Sequence, residues 1–230
     1  MNKIKRIAVI TGVNEEAEAL LPLAPAEHRD SPLGPVRKVE HCGKQISILC
    51  PGIGKVHAAG AAIYLHEAIR PDLFMVIGTA GQVSQLAGDC FYLDEALQAD
   101  YGTLDNSRGN DGFTHYNAGT WPIGPSDWKP FQALPMPPGL QLPPARIATA
   151  DMFVKCPERS GYLRDELKAD LVDMETAAVA QICARLDRPW AGIKAITDGA
   201  DGDSGSDFHA NLIDAANRAA EATDRFIRLL

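Results

Sequence analysis

Three strand-like apolar runs each end in a glycine-bearing segment, and this spacing is what most constrains the fold. Ile7–Ile10 runs into Thr11–Gly12, Gln45–Cys50 into Pro51–Gly52–Ile53–Gly54, and Leu73–Ile77 into Gly78–Thr79–Ala80–Gly81. Short apolar runs bounded by glycine read as buried strands. Helix-forming chain lies between them. Asn14–Glu15–Glu16 opens a helix, with Asn14 as N-cap and acids suited to the positive end of the dipole. Lys55–Ile69 is an alanine-rich helix. Val36–Glu40 pairs with Gln45–Cys50 around a turn at Gly43, Cys90–Leu93 is strand-like, and Asp100–Asn117 is rich in turn residues.

The second half repeats the alternation. Arg146–Ala150 is a strand ending at Asp151, and Arg164–Leu167 is helical. Leu171–Val172 leads into a helix from Glu175 to Arg185. Ala191–Ile196 is a last buried strand, ending in Thr197–Asp198, and Phe208–Leu229 is an amphipathic helix. Strands alternating with helices predict an α/β fold: a three-layer α/β/α sandwich around a central mixed, largely parallel sheet. Eight prolines from Pro122 to Pro144 break helices and interior strands there. They mark a surface loop rather than a linker, because the chain after them resumes the same layered pattern. Residues 1–230 are therefore expected to form one domain.

Charge and composition exclude several functions. The formal net charge of −8 and the lack of a basic stripe argue against nucleic acid as a partner. No apolar run reaches the length of a membrane span, so no membrane association is expected. The N-terminus enters a strand at once without a signal-peptide pattern, and the five dispersed cysteines form no CxxC pair. A cytoplasmic protein with reduced thiols is expected. No HExxH or HxH spacing occurs, so neither a metal nor another cofactor is expected.

In sheets of this kind, ligands bind outside the carboxyl ends of the strands. Those ends deliver the three glycine segments together with Glu16, Asp151, Asp173, Glu175, Asp198 and Asp201, but no arginine. Each feature has a plainer reading alone. Gly52–Ile53–Gly54–Lys55 lacks the spacing of a Walker loop and reads as a tight turn. Gly78–Thr79–Ala80–Gly81 reads as a turn or a backbone nest. Glu16 reads as a solvated first-turn acid, Asp151 and Asp198 as strand-end caps, and Phe153 and Met174 as core. Taken together, the acids suit cleavage of a glycosidic bond. One carboxylate can hold ribose hydroxyls, one can protonate a leaving base, and one can take a proton from water.

The order Ile7–Glu16, Gly52–Val56, Gly78–Gly81, Val172–Asp173–Met174–Glu175–Thr176 and Ala195–Asp201 resembles the 5′-methylthioadenosine/S-adenosylhomocysteine nucleosidases of the nucleoside phosphorylase superfamily. The match runs nearly end to end and is weakest over residues 100–145. The resemblance implies hydrolysis of a 5′-modified adenine nucleoside to adenine and a ribose derivative. Glu16 then corresponds to the acid that activates water, Glu175 to the ribose-binding glutamate, and Asp198 to the acid that protonates ring nitrogen 7. Met174 packs on the sugar, Phe153 stacks on the base, and the main chain of Val154 reads the base edge. Thr79, with Ala80 and Gly81 beside it, lies in the sugar region, and Ile53 and Phe208 surround the 5′ substituent. A homodimer is implied, one subunit helping to close the other's 5′ pocket.

This chain departs from that pattern at four positions. Lys194 replaces an arginine and Thr197 a serine of the expected substrate-binding residues, Val13 a methionine of the 5′ pocket, and Gln82 a glycine. Two acids stand where phosphorylases hold phosphate, which favours water as the nucleophile. Phosphorolysis would need Arg29 or Arg37 to reach the site. A nucleoside binder without catalysis, or an enzyme for a specialised nucleoside, are the remaining alternatives.

Overall fold

A computed structural model describes residues 4–21, 27–104, 113–119 and 129–230. The strands are β1 (Arg6–Ile10), β2 (Glu27–Arg29), β3 (Val36–His41), β4 (Lys44–Leu49), β5 (Leu73–Gln82), β6 (Cys90–Gln98), β7 (Gly102–Leu104), β8 (Phe113–His115), β9 (Phe131–Gln132), β10 (Pro144–Thr149), β11 (Leu171–Asp173) and β12 (Trp190–Asp198). The helices are α1 (Asn14–Leu20), α2 (Lys55–Ile69), α3 (Pro157–Asp165), α4 (Thr176–Leu186) and α5 (Ser204–Leu229). Both halves of the chain enter one mixed sheet, in the order β11–β10–β6–β12–β5–β1–β4–β3–β2. β4, β1, β5 and β12 run parallel, whereas β12 and β6 are antiparallel.

The sheet also closes on itself. Leu171 and Val172 of β11 pair antiparallel with Gln82 and Gly81 of β5, so β5, β12, β6, β10 and β11 form a small barrel. Helices α2 and α4 pack together on one face, through a cluster that includes Ala61, Leu65, Val179 and Cys183. Helices α1 and α5 cover the other face, where Ala17, Leu20, Ala219 and Phe226 meet Ile7, Met75 and Ile193. A third cluster lies beside α3, where Leu163 and Leu167 meet Val83, Leu97 and Val172.

Several elements differ from the sequence expectation. Gly78–Gly81 is not a turn, because β5 continues through it to Gln82 to pair with β12 and β11. Asn14 is the first helical residue rather than the cap. Val13 takes the cap position in extended conformation, and Glu16 reaches back to its N–H. The helix expected over Arg164–Leu167 starts earlier, at Pro157, where proline suits a first turn. Gly43 does form the hairpin turn, with Cys42 and Gly43 both at positive φ as a two-residue turn requires. Pro122 and Pro125 lie outside the described residues. From Lys129 onward the proline-rich stretch packs across the sheet: Leu134 N–H donates to the Trp190 carbonyl, and Leu140 is buried in the α5-side cluster.

Candidate active site

The carboxyl ends of the strands open into a cleft of about 420 Å³. A depression of about 500 Å³ lies elsewhere, beside β3 and β4, but its lining of Arg6, Glu27, Lys38 and Glu40 mixes charges without converging acids. The chemistry is concentrated in the first cleft.

Glu16 projects from the first turn of α1 and is 5% exposed. Four donors hold its carboxylate. Oε2 accepts from the N–H groups of Gly12 (2.8 Å) and Val13 (3.1 Å). Oε1 accepts from the Thr79 N–H (2.7 Å) and the Thr79 hydroxyl (2.9 Å). This position needs Gly78, because a Cβ there would stand 2.3 Å from the carboxylate carbon of Glu16. Gly81 does the same for Asp198, where a Cβ would stand 3.0 Å from Oδ1. The glycines thus let acids approach the strand backbone, a role the sequence reading assigned to turns.

Glu175 stands at the cap position of α4. Its Oε1 accepts from the Gly54 N–H (3.0 Å), and its Oε2 from the Met174 N–H (3.3 Å). Gly54 sits at φ 107, a conformation open to glycine. Asp173 accepts from the Thr149 and Thr176 hydroxyls and from the Thr176 N–H (3.0 Å), which also caps α4. Behind both acids lies the Lys194 ammonium, 3.1 Å from Asp173 and 4.0 Å from Glu175. Burial pushes the Glu175 carboxyl up to about 7, and Asp173 and Glu16 add to the shift against the opposing pull of Lys194. Burial disfavours the charge on Lys194, but Asp173, Glu175 and Glu16 outweigh it and hold the ammonium above its ordinary range.

Asp198, at the end of β12, is buried. Its Oδ2 accepts from the Thr197 hydroxyl (2.8 Å) and its Oδ1 from the Ala200 N–H (3.0 Å). The opposite wall is apolar. The Phe153 and Phe208 rings meet edge-on at 5.8 Å, and Val13, Ile53, Ala80 and Met174 complete the lining.

Of the residues singled out from sequence, Glu16, Glu175, Asp198, Val13, Ile53, Thr79, Ala80, Gly81, Phe153, Met174, Thr197 and Phe208 all line this cleft. Two do not. Lys194, expected to touch substrate, is 1% exposed and acts on the acids from behind, because its strand position faces the interior. The Val154 side chain turns into the third cluster with Leu163 and Ala200, which leaves the role expected of its main chain unaffected. Asp151 caps α2 by accepting from the Lys55 N–H (2.8 Å), rather than capping its own strand. Gly12, Val172 and Asp173, named from sequence at strand ends without a substrate role, also line the cleft, as do Lys155, Gly205 and His209, to which no site role was given. The place of His209 next to Phe208 was the available signal for one of them. Arg37 pairs with Glu18 (2.7 Å), and among the described residues no arginine lines the cleft.

Comparison with known proteins agrees with this arrangement. The family model described as "Phosphorylase superfamily" matches residues 6–228. A 5′-methylthioadenosine/S-adenosylhomocysteine nucleosidase of Geobacillus kaustophilus is 31% identical over 190 residues, 78% of this chain and 77% of that protein. The nucleosidase of Bacillus cereus is 30% identical over 223 residues, 92% and 93% of the two chains. Among solved structures, the Helicobacter pylori 5′-methylthioadenosine/S-adenosylhomocysteine nucleosidase with butyl-thio-DADMe-Immucillin-A superposes with a TM-score of 0.84 at 23% identity, covering 99% of each chain. The futalosine hydrolase of the same species gives 0.81 at 24%, again covering 99% of each. With the family model spanning nearly its whole length and nucleosidase relatives at 30% and 31% identity, the chain belongs to the 5′-methylthioadenosine/S-adenosylhomocysteine nucleosidase family of the phosphorylase superfamily.

Proposed function

We propose that this chain hydrolyses the N-glycosidic bond of a 5′-substituted adenosine of the 5′-methylthioadenosine or S-adenosylhomocysteine type, releasing adenine and the ribose derivative. The observation that carries the reading is one cleft holding Glu16, Glu175 and Asp198, all buried, with no arginine among its described lining residues. Asp198 gives a proton to ring nitrogen 7, so that adenine leaves as a neutral base with the electrons of the bond to C1′. Positive charge then grows on the sugar, and the surrounding carboxylates favour it. Glu175 keeps acceptor capacity beyond the Gly54 and Met174 N–H groups for the ribose hydroxyls. Glu16 takes a proton from water as the hydroxide adds to C1′. Rotation of the Thr79 hydroxyl away from Oε1 frees the lone pair that this water needs. Phe153 supplies a stacking face for the base and Phe208 an apolar contact for the 5′ group.

Release of adenine from 5′-methylthioadenosine, with and without phosphate, tests this directly. Release without phosphate is expected, with Asp198→Asn slower by ~100- to 10,000-fold, the usual worth of general acid catalysis. Release that depends on phosphate would make the protein a phosphorylase and remove the role given to Glu16. No release in either buffer would favour a specialised nucleoside or a binding protein.

The protein acts as one domain and as a homodimer on this reading. Helix α2, beside the cleft, exposes Val56 (81%) and Ile63 (44%) next to exposed Ile53, an apolar stripe suited to a second copy. Among the described residues no helix is long and apolar enough to cross a membrane. We place the protein in the cytoplasm, where its free cysteines stay reduced.

A further inference from the structure

The floor and the rim of the cleft carry opposite charge. Glu16, Glu175 and Asp198 are buried at the floor, whereas Lys155 and His209 are exposed lining residues. Gly205, Phe208 and His209 stand at i, i+3 and i+4 of α5 and so share one face. The Lys155 side chain lies over that face. Its ammonium is 3.4 Å and its Cε 3.8 Å from where a Cβ on Gly205 would stand, so the head of the lysine rests against the helix at Gly205. The Phe208 ring meets Phe153 on one side and the His209 ring (5.6 Å) on the other.

Among the described residues Lys155 makes no ion pair or side-chain hydrogen bond, although Asp201, Asp203 and Asp207 flank Gly205 along the chain. In a protein of net charge −8, an unpaired cation at the mouth of an acid-floored cleft calls for an anionic partner on the ligand. On the nucleosidase reading Phe208 contacts the 5′ group, so the ligand group that reaches the rim along its face is the 5′ substituent.

We propose that Lys155, with His209 beside it, selects nucleosides whose 5′ substituent ends in a carboxylate over those with a neutral tail. The inference rests on the nucleosidase reading above. Lys155 is a specificity residue in this role and takes no part in bond cleavage.

The test uses three 5′-thioadenosines on the purified full chain, with tails ending in a methyl group, a carboxylate, or the primary amide of the same length. The carboxylate-to-amide ratio of kcat/KM isolates the charge. In the wild type at low salt it is expected near tenfold, about the worth of one partly screened charge-assisted hydrogen bond. Lys155→Met should bring the ratio close to one, Lys155→Arg should retain it, and added salt should shrink it in the wild type. A wild-type ratio near one, or a Lys155→Met variant that slows all three substrates alike, overturns the inference while leaving the nucleosidase reading intact. Absence of adenine release from all three would overturn both.

Discussion

Lys194 lies 3.1 Å from Asp173 with its side chain 1% exposed, and Glu175 stands 4.0 Å away on the cleft side of it. One ammonium thus serves two carboxylates, with Glu16 close enough to add to the field. A compact lysine supplies charge without the fixed fork of an arginine, so the orientation of Glu175 depends on the backbone N–H groups of Gly54 and Met174. The shift on Glu175 has a consequence for stability. With its carboxyl pushed up to about 7, the folded protein holds a proton that the unfolded chain has released. The stability it contributes is complete below the ordinary carboxylate range and is lost as pH rises through about 7. Thermal melts between about pH 5 and about pH 8 should therefore show Tm falling more steeply for the wild type than for Glu175→Gln. Equal slopes would mean that Glu175 is ionised throughout.

At the scale of elements, β5 decides the site. Its first half, Leu73–Ile77, is buried strand on both faces, and its second half carries Gly78 and Gly81 past two acids. A methyl group at position 78 cannot coexist with the present Glu16 carboxylate, so either the acid rotates away or the strand moves. Gly78→Ala should lower kcat by about 100-fold, as displacement of a reacting group by about 1 Å does, while far-UV circular dichroism stays native. Turnover equal to wild type would show that the Glu16 position is not required. The neighbouring elements support the same geometry: Asp151 caps α2 and so holds the Gly54 N–H toward Glu175, and Asp173 accepts from the N–H of Thr176, the first residue of α4.

At the scale of the whole molecule, Ile53, just before α2, and Phe153 are the half-exposed apolar residues of the cleft lining. The exposed Val56 and Ile63 continue an apolar stripe from Ile53 along α2. If a second copy covers it, the wild type sediments as a dimer and Val56→Asp as a monomer, since an unpaired charge buried in an apolar contact costs several kcal/mol. A monomeric wild type would assign the stripe to another partner. The closed barrel of β5, β12, β6, β10 and β11 belongs to this scale too. It brings Asp173 at the end of β11 against Lys194 on β12, and sets Gly81 on β5 beside Asp198.

Local pattern determined much of this protein. The apolar runs of β1, β5 and β12, the helix over Lys55–Ile69, and the convergence of Glu16, Glu175 and Asp198 at strand ends follow from periodicity and from the rule that ligands bind where strands end. Weak or short elements were not legible: β2 and β9 carry little apolar signal, and α3 begins at a proline-led turn upstream of the expected helix. Only the tertiary structure decided that Gly78–Gly81 is strand rather than turn, because pairing with β12 and β11 overrides glycine's local preference. Only it placed Lys194 behind the acids and Lys155 at the rim. The sequence specifies a lysine's charge, but which carboxylates it meets, and how much water reaches it, depends on residues distant along the chain.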